Sequence, residues 1–393
     1  MHQQLTIGCT ATDFPPLRGS KPAREPGVGH SECQRIHPRE GAMHMKSLVL
    51  VLGAGASKEV NLPVGGELKQ RIAELLDIRF HAGSQRSGDH LIGEAFRLAT
   101  AAPNEEHGDI NLLLHASGMI RDAMPQAKSI DNFINVHRTN KDIAFCGKLA
   151  IVRSILQAEA KSNLLVDSSN IHNKINFVAI KNTWFTEFFQ LLTENCQRDD
   201  LRLRLQQVAV VSFNYDRCFE HYLYFALQNY FGISAEEAAD LLALLEVHHP
   251  YGKVGELPWM HQSGAVKFGA IPNAEQLLSV SKQLRTFAEG TDPSTSDIES
   301  IRAAVLGAQR LIFLGFAFHR LNLELLFLNT GSEPRARTES VFATALGLSY
   351  SDIDHIRLEL VAKTGVLHDK TNVQGNLTCA SLFHEYKRGM SLT

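Results

Sequence analysis

Lys46-Ser47-Leu48-Val49-Leu50-Val51-Leu52-Gly53-Ala54-Gly55-Ala56-Ser57 is the stretch on which the reading of this chain turns. Its apolar run, Leu48 to Leu52, is short, unbroken and rich in branched residues. That composition suits a central parallel strand buried on both faces. Glycines at the exit of such a strand let the backbone turn tightly and approach a ligand closely. Free amide N–H groups there can hold a phosphate or pyrophosphate. From Glu67 the pattern becomes helical, with Leu68, Ile72, Leu75 and Leu76 spaced along one face. Strand, glycine turn and helix in this order predict a dinucleotide site. Two features depart from the G-x-G-x-x-G fingerprint: no third glycine follows at that spacing, and Ser57 comes next. The acidic residues roughly 20 positions on, Glu74 and Asp77, fall inside the amphipathic helix, where a solvated face explains them. The stretch points to a nucleotide but not to an ordinary dehydrogenase.

The 393 residues allow one large α/β domain or two smaller ones. Hydrophobic content of 44% and charged content of 21% are those of a soluble globular protein. A formal net charge of -3 gives no support for direct nucleic-acid binding. No apolar run reaches the ~18 residues of a membrane span, so no membrane association is expected. Cys9, Cys33, Cys146, Cys196, Cys218 and Cys379 are scattered and never form C-x-x-C. Neither a disulfide framework nor a structural zinc site is indicated, no metal is expected, and a reducing cytoplasm fits best. Residues 1–44, with Pro15, Pro16, Pro22, Pro26 and Pro38 among glycines and arginines, read as a disordered arm without the apolar core of a signal peptide. Met43 and Met45 offer an alternative start. His30, His37 and His44 belong to this arm and read as part of it rather than as metal ligands.

The main domain is expected over 45–393, with a helical insertion at about 91–200. Ala82 to Asp89 reads as an exposed loop. Helical patterns follow at Ala95 to Ala101, Ile110 to Arg121 and Ile130 to Leu156. Within them, Ser129-Ile130-Asp131-Asn132-Phe133 opens a helix, and Asp131 reads as a carboxylate favoured by the helix dipole. Trp184, Phe185, Phe188 and Phe189 form a core stripe on a helix over Thr183 to Glu194. Val208 to Val211 is a second buried strand, ending in Ser212-Phe213-Asn214-Tyr215-Asp216 ahead of a helix over 217–230. An Asn and an Asp two apart at the carboxyl end of a strand stand where α/β folds bind ligands. A turn and a helix cap would use the same residues. After a helix over 235–246, Val247-His248-His249-Pro250-Tyr251-Gly252 places two histidines near a strand end. Either can serve as a general base near neutral pH. Leu284 to Glu289 reads as a short strand and Gly290 to Asp297 as a polar loop. Leu311 to Leu314 then leads into Gly315-Phe316, and the tail from Ser340 to Leu392 reads mixed.

Taken in order, these motifs resemble the sirtuin superfamily, in particular its prokaryotic sirtuin-like branch. Gly53-Ala54-Gly55-Ala56-Ser57 is similar to the sirtuin G-A-G-x-S loop, and Leu62-Pro63 to the apolar-Pro element after it. Phe213-Asn214-Tyr215-Asp216 resembles Q-N-x-D, and His249 to Gly252 stands in the place of H-G. Phe287-Ala288-Glu289 resembles F-G-E, and Leu314-Gly315-Phe316 stands where a G-T-S loop would lie. The resemblance spans roughly Lys46 to Asn322 and extends to the tail around Ala343 to Asp354.

The resemblance implies a Rossmann-like parallel sheet of sirtuin type with a helical insertion. It implies NAD as substrate, held by Gly53, Ala54, Gly55, Ser57, Pro63, Gly315 and Phe316 together with Asn214 and Asp216. It further implies that Asn214 serves the nicotinamide ribose or a water, that Asp216 holds the carboxamide, and that His249 is the base. The four-cysteine zinc ribbon of deacylating sirtuins is missing, which moves the reading from deacylation to hydrolysis of NAD. Pro250 and Tyr251 interrupt the His-Gly pair and leave His248 and Tyr251 as alternative bases. Antiviral defence by NAD depletion is the role this branch implies, restrained by homo-oligomerisation or by a partner encoded nearby, with an activator protein encoded nearby as its trigger. A non-catalytic NAD or ADP-ribose sensor, and a protein deacylase or ADP-ribosyltransferase, are the competing expectations.

Overall fold

The computed structural model describes residues 45–101, 109–167, 174–260, 264–292, 296–327 and 338–392. Among them are eight strands: β1 (Lys46–Leu52), β2 (Arg79–His81), β3 (Ser84–Ser87), β4 (Val208–Ser212), β5 (Glu246–His248), β6 (Ala308–Leu314), β7 (Ser340–Thr344) and β8 (Thr371–Gln374). Six form one parallel sheet in the order β5-β4-β1-β6-β7-β8. Counted along the chain that order is 3-2-1-4-5-6, the Rossmann-like arrangement. Its direction of growth reverses between β1 and β6, and ligands of open α/β sheets bind at such a reversal, outside the carboxyl ends of the strands.

The apolar run of β1 is buried because both faces of the sheet are covered. Leu48, Val49, Leu50 and Val51 have no exposed surface, and Leu50 pairs with Val210 on one side and Ile312 on the other. Alternation along the strand sorts the side chains into two layers. Leu48, Leu50 and Leu52 join Trp184, Phe188, Phe219 and Phe383, whose helices are Trp184–Thr193, Cys218–Phe231 and Cys379–Met390. Val49 and Val51 join Ile72, Phe96, Ile120 and Leu149 from helices Gly65–Leu76, His90–Thr100, Asn111–Ala123 and Lys141–Glu159. The expected helical insertion therefore supplies helices to both layers.

Several local expectations are corrected. Ala82 to Asp89 is not simply a loop, because Ser84–Ser87 pairs antiparallel with Arg79–His81 as a hairpin. The helix expected over Ile130 to Leu156 is two helices, Ile130–Val136 and Lys141–Glu159, the second capped by the Asn140 side chain. The helix expected to reach residue 246 ends at Leu242, and Glu246 begins β5. Leu284 to Glu289 is not a strand. The Arg285 amide does donate to the Tyr251 carbonyl at 2.9 Å, but Thr286 and Glu289 then form a capping box that starts helix Phe287–Thr291. The local hydrogen bonds of this segment favour a helix.

Cys146, Cys196, Cys218 and Cys379 are buried free thiols. No helix among the described residues is long and apolar enough to cross a membrane. The N-terminal arm, with His30, His37, His44, Cys9 and Cys33, lies outside the described residues.

Candidate active site

The glycine stretch and the exit of β6 meet at the reversal point of the sheet. Gly53 donates its amide to the Leu314 carbonyl at 2.9 Å and Gly55 to the Gly315 carbonyl at 3.0 Å, while the Ala56 amide returns to Gly53 at 2.9 Å. These three N–H groups are engaged within the chain. The glycines answer first to backbone packing. A Cβ on Gly55 would lie 2.7 Å from Gly315 Cα, and one on Gly315, which sits at φ 55°, would lie 2.1 Å from the Ala56 nitrogen. Close approach here is to another strand exit, a demand invisible in the spacing of the motif itself. Ala54, Gly55 and Gly315 remain half-exposed and form a lip over the carboxyl ends of β1 and β6. Pro63 is buried in the turn that joins the single helical turn Ala54–Lys58 to helix Gly65–Leu76.

Ser57 links the glycine stretch to the exit of β4. Asn214 Nδ2 donates to Ser57 Oγ at 3.1 Å, and Ser57 is also hydrogen-bonded to the Asp216 carboxylate. Asp216 Oδ1 accepts the Cys218 amide at 3.1 Å, so it also caps the following helix, as the plainer reading of the sequence holds. Burial raises the Asp216 carboxyl above its usual range, against the hydrogen bonds from Cys218 and Ser57 that favour the carboxylate. Asn214 is 6% exposed. Its side-chain oxygen Oδ1 is buried without a hydrogen-bond partner. An unpaired buried acceptor costs on the order of 1–3 kcal/mol, and such an orphan is explained by a missing donor.

His249 is held at both ring nitrogens. Nδ1 lies 3.2 Å from the Asn214 carbonyl oxygen and Nε2 lies 2.9 Å from Glu220 Oε1. Both neighbours are acceptors, so which ring nitrogen donates depends on the tautomer. Burial alone would raise Glu220, but His249 and, more weakly, Lys253 outweigh it and hold the carboxyl down to about 2. His248 is turned elsewhere, its Nε2 2.7 Å from Glu246 Oε1, and Glu246 is also paired with Lys46 at 2.8 Å. Tyr251 is buried and donates to Asn322 Oδ1 at 2.6 Å. Gly252, at φ 75°, closes the turn with its amide on the His249 carbonyl at 2.9 Å.

Phe316 lies beneath the lip, not on it. Its ring is 4% exposed and packs 5.1 Å from Phe213 and 5.5 Å from Phe313. Direct hydrogen bonds thus join Gly55 to Gly315 and, in a second set, Ser57, Asn214, Asp216 and His249, while Gly53 is tied to Leu314 and Ala56 and Phe316 is part of an aromatic floor. Sequence reasoning missed three supports of this site: Glu220, the Arg217–Glu159 pair, and the contact of Tyr215 with Asp131. A charged residue inside an otherwise buried helical stretch was the available signal for Glu159 and Glu220.

No protein-family model matches the chain, and no curated protein matches it significantly in sequence.

Proposed function

We propose that this crevice hydrolyses NAD to ADP-ribose and nicotinamide, and that the protein is an NAD-depleting effector of prokaryotic antiviral defence. The observation that carries the reading is the orphaned Asn214 Oδ1, buried beside Ser57 at the reversal point of a Rossmann-like sheet. A hydroxyl of the nicotinamide ribose, or the attacking water, supplies the missing donor. The half-exposed lip at Ala54, Gly55 and Gly315 supports placing the pyrophosphate there. Asp216, its carboxyl raised by burial, is suited to exchange hydrogen bonds with the carboxamide. Breaking the nicotinamide–ribose bond develops positive charge on the sugar, and fixed dipoles such as Asn214 Oδ1 favour that charge as nicotinamide leaves. His249 acts as base on a ribose hydroxyl only after Glu220 releases Nε2. Restraint of the activity in the healthy cell falls to self-association or to a partner encoded nearby.

One observation favours a second reading, a sensor that binds NAD or ADP-ribose without turnover: neither ring nitrogen of His249 is open. The deciding experiment incubates the purified protein with NAD and follows nicotinamide and ADP-ribose by chromatography, with Asn214→Ala alongside. Nicotinamide release by wild type, lost about 100-fold or more in the variant, is expected. Calorimetric binding of NAD with no release would turn the assignment to the sensor, and neither binding nor release would end both readings.

A further inference from the structure

Asp131 lies in the helical insertion, 84 positions from Tyr215, yet the Tyr215 hydroxyl donates to its Oδ1. The dipole of helix Ile130–Val136 does not account for this placement. The cap of that helix is already made by Ser129, whose hydroxyl accepts the Asn132 amide at 3.0 Å, and the Asp131 carboxyl turns to the strand exit instead. Tyr215 is 6% exposed, and Asp131 is half-buried. Beside the pair, Tyr251 from the exit of β5 donates to Asn322 of helix Arg320–Leu326, and the Phe213 ring stands edge-on to Tyr251 at 5.7 Å. The carboxylate is close enough to raise Tyr251, whose hydroxyl is held up first by burial. Three strand exits and the insertion therefore meet on the carboxyl edge of the sheet. At the exit of β4, Asn214 turns to Ser57 and the next residue, Tyr215, turns to Asp131.

We propose that Asp131 is the base that takes the proton of the attacking water, oriented by Tyr215. The assignment rests on the NAD-hydrolysis reading above and gives that reaction its acceptor. The other acids of these exits are committed: Glu220 to His249 and Lys253, and Asp216 to the Cys218 amide and Ser57. Both ring nitrogens of His249 are taken up, by the Asn214 carbonyl and by Glu220. Asp131 accepts the Tyr215 hydroxyl and its own amide, with no cation paired to it among the described residues. In the step itself, the bond between the ribose anomeric carbon and the nicotinamide nitrogen breaks, and its electron pair leaves with nicotinamide. The water oxygen bonds to the anomeric carbon, and its proton passes to the Asp131 carboxylate and then to solvent. Burial raises the Asp131 carboxyl above its usual range, against the opposing hydrogen bond from Tyr215, which makes the carboxylate a stronger proton acceptor. A dedicated base for water also favours hydrolysis over transfer to another nucleophile.

The test uses the full chain with NAD and three proteins: wild type, Asp131→Asn and Asp131→Ala. Asn keeps an oxygen for Tyr215 but has no basicity. Its kcat should fall about 100-fold or more while KM stays within a factor of about three and the melting temperature is retained. Asp131→Ala should regain turnover when sodium formate is added, because a free carboxylate can enter the space left by the side chain. A structural role would not respond to formate. Wild-type turnover in Asp131→Asn, or failure of formate to restore Asp131→Ala, overturns the assignment while leaving NAD hydrolysis standing. Absence of nicotinamide release from wild type overturns both.

Discussion

Two buried acid–base pairs flank the Asn214–Asp216 segment, and they are built on opposite plans. Arg217 and Glu159 are sealed, each side chain with 0% exposure. Arg217 donates from Nε and Nη2 to the two Glu159 oxygens at 3.1 and 2.5 Å, and from Nη1 to the Val266 carbonyl at 2.5 Å. Glu159 also accepts the Gly269 amide at 3.0 Å. The pair ties the end of helix Lys141–Glu159, the start of helix Cys218–Phe231 and the loop before residue 270 into one knot. His249 and Glu220 share a single 2.9 Å contact, with Lys253 Nζ 3.6 Å from the same carboxylate oxygen. The first pair has its directions filled by protein groups and can only hold. The second has one bond to break before a ring nitrogen is released.

The largest effect is expected where the comparison is broken outright. Glu159→Gln leaves the Arg217 guanidinium charged in a site without water. Removing one partner of a buried pair costs about 3–5 kcal/mol, so the denaturation midpoint should fall steeply and NAD turnover should vanish with the fold. A variant that melts like wild type would show that the knot at Arg217 is not what sets the Asn214–Asp216 segment in place.

A smaller loss is expected where backbone packing, not charge, closes the site. Gly315→Ala must place a Cβ 2.1 Å from the Ala56 nitrogen at φ 55°. The strand exits have to part, at a cost on the order of 1–3 kcal/mol for a strained backbone position. NAD affinity, read by calorimetry, should fall further than the stability change alone accounts for, because the lip at Ala54 and Gly55 moves with it. Wild-type affinity in a folded Gly315→Ala protein would separate the lip from the binding site.

Both variants act on features of unequal legibility. The β1 run and its glycines could be read because a strand buried on both faces leaves an unbroken apolar signature, and Phe213-Asn214-Tyr215-Asp216 because it follows a second such run. The reason for the glycines could not be read. Gly315 lies far along the chain, and only the parallel pairing of β1 with β6 brings it against Gly55. Arg217 and Glu159 are 58 positions apart, and Tyr215 and Asp131 are 84 apart. A charge in a buried helical stretch marks Glu159 as unusual, but nothing local names its partner, and Asp131 at a helix start has an adequate local explanation. The same limit produced the strand expected over Leu284 to Glu289, where the deciding features were the capping box at Thr286 and a tertiary contact with Tyr251.

The smallest change sharpens the contrast at the reactive pair. Glu220→Gln keeps an oxygen for the His249 ring and removes only the charge, so the cost should be greatest at neutral pH, about the 1.5–3 kcal/mol of a hydrogen bond to a charged group. The difference from wild type should shrink in acid. Glu220 sits at about 2 in the fold against an ordinary 4.5, so between those values the unfolded chain binds more protons than the native one. Its contribution is therefore fully present above pH 4.5 and is lost as the pH falls through 2. In Glu220→Gln, the slope of stability against pH should be shallower over that window and unchanged above it. Glu246 is also held down to about 2, by the hydrogen bond from His248 and by Lys46 against the opposing effect of burial. It leaves part of the acid limb intact, and Glu246→Gln serves as the matched control away from the crevice. Both substitutions should flatten the acid limb, but only Glu220→Gln should alter NAD turnover at neutral pH. Equal turnover in the two variants would make the His249–Glu220 pair one more structural clasp, no different in kind from Arg217–Glu159.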